Sequence, residues 1–102
     1  MKLKWQQKQL LSILGELDSD NLLSDVDTHL MHGKEGDYFF IEGARTFQDG
    51  TLYDFEKRYP ADYVYPLKEE GFITLKNRGR DTFDLLPTRR GIDLVRKRFK
   101  DL

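Results

Sequence analysis

Two short runs in the last third of the chain constrain its fold most. Phe72-Ile73-Thr74-Leu75-Lys76 and Thr82-Phe83-Asp84-Leu85-Leu86 each alternate apolar with polar residues. Alternation of this kind marks a strand with one face buried, because successive side chains of a strand point to opposite sides. Asn77-Arg78-Gly79-Arg80-Asp81 lies between them. The runs therefore predict a β-hairpin with a basic, glycine-containing tip. Pro87 closes the second strand and Thr88 is a good first cap for a closing helix, whose stripe is Ile92, Val95, Phe99 and Leu102.

Upstream, Leu3, Leu10, Leu14 and Leu17 share one face of a helix over 3–17, widened by Leu11 and Ile13. Asp18-Ser19-Asp20-Asn21 stops it. A weaker helix is expected over 21–32, where Ser24 and Asp27 have capping-box spacing and Gly33 is a stop. Gly33 to Asp37 is read as a loop and Tyr38-Phe39-Phe40-Ile41 as a strand. Leu52, Phe55 and Tyr59 fit a short helix that begins at Thr51 and stops before Pro60. The next helix begins at Pro60, carries Tyr63, Val64 and Leu67, and stops at Gly71. A chain of 102 residues is long enough for one core, so one α+β domain over 1–102 is expected.

The net charge of −1 disfavours indiscriminate binding to nucleic acid, but the charges are unevenly distributed. Residues 1–73 hold eight Lys/Arg against fourteen Asp/Glu, whereas residues 74–102 hold nine against four. The chain has no cysteine, which excludes disulfides and thiolate metal sites and suits a reducing compartment. No apolar run is long enough for a membrane span, so a soluble cytoplasmic protein is expected. Asp25, His29 and His32 have helical spacing for a metal site, but two solvated histidines explain the pattern better, and neither metal nor cofactor is expected. The nucleophile elbow, the phosphate-loop lysine motif and the dinucleotide glycine fingerprint are all missing, which points away from an enzyme.

Two segments carry a family resemblance. Leu67-Lys68-Glu69-Glu70-Gly71-Phe72-Ile73 resembles the end of the recognition helix in MarR- and PadR-like transcriptional regulators. Leu85-Leu86-Pro87-Thr88-Arg89-Arg90-Gly91 resembles the exit from the wing into the final helix of the same proteins. The resemblance covers mainly 51–102. It implies a winged helix-turn-helix-like fold of several helices, with a recognition helix over 61–70, a two-stranded wing over 76–81, and a closing helix.

On that reading the chain is a DNA-binding regulator. Arg78 and Arg80 meet phosphate, while Tyr63, Tyr65 and Lys68 face the groove. Lys76, Arg89 and Arg90 extend the same surface. The alternative is a winged-helix module that binds protein, favoured by Pro66 inside the recognition helix and by Asp62, Glu69 and Glu70 on its outer side. A homodimer is expected through the terminal helices, with Leu3, Leu10, Leu14, Phe99 or Leu102 at the interface and Trp5 a further candidate.

Overall fold

The computed structural model describes residues 2–100, with side chains described as far as residue 96. It contains α1 (Trp5–Ser19), β1 (Asp27–Gly33), β2 (Gly36–Thr46), β3 (Leu52–Pro60), α2 (Ala61–Glu69), β4 (Ile73–Gly79), β5 (Thr82–Pro87) and α3 (Arg89–Lys100). A single 3-10 turn, Leu23–Asp25, precedes β1. The five strands form one antiparallel sheet in the order β3-β2-β1-β5-β4.

This α+β arrangement corrects the winged-helix expectation. The segment expected as the first helix of a helix-turn-helix, 51–59, is the edge strand β3, so a strand and not a helix directly precedes α2. The segment expected as a helix over 21–32 is the 3-10 turn followed by β1. The expected hairpin is present as β4 and β5, but it belongs to a five-stranded sheet rather than standing as a two-stranded wing. The described chain has three α-helices, not four or more.

Leu52, Phe55 and Tyr59 satisfy a helical stripe, yet the same stretch alternates strictly. Tyr53, Phe55, Lys57 and Tyr59 are at least half-buried, while Leu52, Asp54, Glu56 and Arg58 are exposed. Pairing with β2 along nine residues decides between the two periods. Asp49 accepts hydrogen bonds from the Thr51 N–H at 3.0 Å and the Thr51 hydroxyl at 2.7 Å, so the turn into β3 uses the residue expected to cap a helix.

One face of the sheet holds the core. Phe39 and Ile41 on β2, Tyr59 on β3, Ile73 and Leu75 on β4 and Leu85 on β5 are buried against Leu10, Leu11 and Leu14 of α1, Val64 and Leu67 of α2 and Val95 of α3. Gln7 is buried too, with both ends of its amide used. It accepts from the Lys4 N–H at 2.8 Å and donates to the Tyr63 carbonyl at 3.0 Å, which ties α1 to α2. The Tyr59 hydroxyl donates to Gln9 at 2.8 Å, and burial raises its pKa to about 12. Leu10 and Leu14 lie in this core and Leu3 packs against it, whereas Trp5 at the start of α1 is exposed. Phe99 and Leu102 lie outside the residues whose side chains are described.

The connection from β3 to β4 sets the overall geometry. These strands are the opposite edges of the sheet, so the chain must cross it, a distance of roughly 19 Å for four strand spacings. α2 makes this crossing. It ends where Gly71 takes a φ of +77°, letting the Phe72 N–H donate back to the Leu67 carbonyl at 2.9 Å. All three helices pack on the core side, and among the described residues no element covers the other side of the sheet.

Candidate interaction surface

The described hydrogen bonds fix which backbone groups point where. The Leu30 N–H donates to the Asp81 carbonyl at 2.8 Å, so the even-numbered residues of β1 bond toward β5. The Phe47 N–H donates to the Thr51 carbonyl at 2.8 Å, which continues the register of β2 and β3. Odd-numbered residues of β3 therefore bond inward to β2, and even-numbered residues turn their N–H and C=O groups to the free edge.

The uncovered face carries a row of carboxylates. Glu56 on β3 is directly opposite Glu42 on β2, and Glu42 is directly opposite Asp27 on β1. Glu42 and Glu56 form a non-hydrogen-bonded pair, the type in which side chains approach most closely. Like charges placed directly across strands are destabilising. Asp54 and Asp25 line the same open groove, of about 680 Å³. Phe40, two residues from Glu42 on the same face, is half-buried under the Arg58 guanidinium at 5.5 Å, and Met31, four residues along β1 from Asp27, and Leu86 on β5 are exposed. The sequence marks Asp25 only as a candidate metal ligand and Asp27 only as a helix cap, and the row itself is not legible in it, because 27, 42 and 56 come together only through cross-strand register.

The sequence-predicted residues are scattered by comparison. Tyr65 is partly turned in, edge-on to Phe39 at 5.5 Å. Tyr63 is half-buried with the Lys4 ammonium 4.7 Å from its ring centre. Both tyrosines are therefore engaged by neighbours within the fold. Lys68 is exposed in the last turn of α2, beside the exposed Glu69 and Glu70.

Lys76 is opposite Asp84, and Arg78 reaches the same carboxylate at 3.3 Å. Arg80 occupies the β4–β5 turn with a φ of +50°, next to Asp81 at +63°. Arg89 lies 3.6 Å from Asp93, and the Arg90 guanidinium lies 5.1 Å from the Phe72 ring centre. The structure thus brings Lys76, Arg78 and Arg80 together along the β4 edge. It leaves Tyr63, Tyr65 and Lys68 on α2, and Arg89 and Arg90 at the start of α3.

The Asp25, His29 and His32 constellation does not assemble. Asp25 ends the 3-10 turn, and His29 and His32 point to opposite faces of β1 because their spacing is odd. His29 lies 3.4 Å from the Thr82 hydroxyl. His32 instead links two hairpin tips, with Nδ1 2.9 Å from Asp37 and Nε2 3.1 Å from Asp81. These hydrogen bonds, Asp37 first and then Asp81, raise its pKa above the ordinary value. Among the described residues no group of three or more His, Cys, Asp or Glu side chains is placed to hold a metal ion. Among them, too, no helix is long and apolar enough to cross a membrane.

No protein-family model, curated protein or solved structure matches the chain.

Proposed function

We propose that this chain is a cytoplasmic module that acts by binding a partner protein with the uncovered face of its sheet, rather than by catalysis. The observation that carries the reading is the Glu56–Glu42–Asp27 row, flanked on the same face by half-buried Phe40. A folded domain gains nothing for its own stability by aligning like charges on adjacent strands. Such a local conflict is typical of residues kept for function. The chemistry that fits this face is a segment carrying lysine or arginine next to apolar side chains.

A second reading, a regulator that contacts DNA, draws on Lys76, Arg78 and Arg80 along the β4 edge. Against it, Arg78 is paired with Asp84, which also lies directly opposite Lys76, and the outer side of α2 carries Asp62, Glu69 and Glu70. The two readings separate in one titration, of a lysine-rich peptide and of a random-sequence duplex, at about 50 and about 200 mM salt. The protein-binding reading expects peptide binding that Glu42→Lys abolishes, and no duplex binding at either salt. Duplex binding that weakens with salt, with a shallower slope when Arg78 and Arg80 are both changed to alanine, would replace it with the DNA reading.

A further inference from the structure

We propose that the free edge of β3 pairs with β3 of a second copy of this chain, antiparallel about Glu56, joining two five-stranded sheets into one. This does not depend on what the acidic row binds. The starting point is the edge itself. β3 pairs on one side only, and along the other the N–H and C=O groups of Leu52, Asp54, Glu56 and Arg58 point outward. An unpaired edge of this length is a template for another strand.

The side chains select both the occupant and the register. In antiparallel pairing about Glu56, Asp54 is opposite Arg58 of the partner subunit, and Arg58 is opposite Asp54 of the partner subunit. Both ion pairs lie on the uncovered face and follow from one two-fold axis. The Leu52 N–H reaches the carbonyl of Pro60 of the partner subunit, so the missing N–H of proline falls at the end of the ladder, where it does least harm. On the covered side, Tyr53 is opposite Tyr59 of the partner subunit and Phe55 is opposite Lys57 of the partner subunit. Phe47 is already stacked on Tyr53 at 4.0 Å between ring centres, which widens that apolar contact.

Neighbouring registers are worse. Centring on Phe55 places Asp54 opposite Glu56 twice. Centring on Lys57 also forms two ion pairs, between Glu56 and Arg58 of the partner subunit, but it sets two lysines face to face, leaves Asp54 opposite a proline and carries Leu52 past the end of the partner strand. The chosen register has one adverse contact, Glu56 against Glu56 of the partner subunit.

Sedimentation of the full chain over a concentration series tests this, with circular dichroism confirming that each variant is folded. The wild type is expected to dimerise reversibly. Asp54→Arg and Arg58→Asp should each weaken the dimer about tenfold or more, because each turns two attractive contacts into repulsive ones. The double variant D54R/R58D restores complementarity and should recover the wild-type affinity, and Glu56→Gln should tighten the dimer. A monomer up to about 1 mM, where association energy falls to about 4 kcal/mol, would overturn the proposal. So would a dimer whose affinity ignores both single charge changes, or one that the double variant fails to restore.

Discussion

Gly91→Ala tests how α3 is held on the sheet. A methyl group at Gly91 would lie 2.1 Å from the Phe72 carbonyl oxygen and 3.0 Å from its carbon. These are backbone atoms at the start of β4, so no rotamer change relieves the contact. α3 must move outward by more than 1 Å, since ordinary contact begins at about 3.4 Å.

Overpacking of this kind costs about 3 kcal/mol at the upper end of its range. The displacement also strains the Thr88 cap, worth about 1 kcal/mol. Alanine returns about 1 kcal/mol of helix propensity. The net expectation is a loss of about 3 kcal/mol, or a fall in melting temperature of roughly 12–24 °C for a domain of this size. Gly15→Ala is the control. Gly15 is also helical but has nothing within 4 Å of the added methyl, so it should stabilise by about 0.5–1 kcal/mol. Urea unfolding followed by far-ultraviolet circular dichroism is the assay, because Trp5 is 68% exposed and a poor fluorescence reporter of the core. A Gly91→Ala variant within about 0.5 kcal/mol of the wild type, a change typical of an uninvolved surface site, would refute the packing argument.

Other outcomes follow from single contacts. Glu42→Gln should stabilise the fold by about 0.2–1 kcal/mol for each like-charge neighbour it relieves, Glu56 and Asp27, with the gain shrinking at high salt in parallel urea curves. The Thr88 hydroxyl donates to the Gly71 carbonyl at 2.6 Å and accepts from the Gly91 N–H at 3.1 Å. Thr88→Val should therefore cost about 1 kcal/mol in thermal unfolding, and Thr88→Ser should keep most of it. His32 has a raised pKa, so its contribution is full below the unfolded value of 6.5 and is lost as pH rises through the folded value. An NMR titration should show that value falling in Asp37→Asn, and an unmoved His32 titration would contradict the bridge between the hairpin tips.

The elements that were legible are those whose signals are local. α1 announces itself by a leucine stripe and ends at Asn21, whose φ of +58° lets the Leu22 N–H return to the Leu17 carbonyl. Gly71 ends α2, and Thr88 begins α3, for similarly local reasons. β1 and β3 were hidden because neither contains its own reason to be a strand. Thr28-His29-Leu30-Met31 has no strong alternation of apolar residues and becomes a strand by lying between Phe39–Ile41 on one side and Phe83 on the other. Leu52, Phe55 and Tyr59 fit both periods, and only the β2 register chooses. The basic residues of the hairpin could be found one at a time in the sequence. The acidic row could not, since it exists only once three strands are aligned.

The strand order also gives the charge asymmetry of the sequence a spatial meaning. The excess of acid ends at residue 73, which is where β4 begins. The chain before that point supplies β3, β2 and β1 together with α1 and α2, and the chain after it supplies β4, β5 and α3. Because the sheet order keeps β3, β2 and β1 together and β5 and β4 together, a division along the sequence becomes a division across the uncovered face, with Asp84 on β5 between the two. Glu56, Glu42 and Asp27 lie toward β3, and Lys76 and Arg78 lie at β4. A partner approaching this face meets a gradient, which favours one orientation before any contact forms and is screened by salt. Association should therefore slow with ionic strength more than dissociation quickens, the signature of steering rather than of short-range contact.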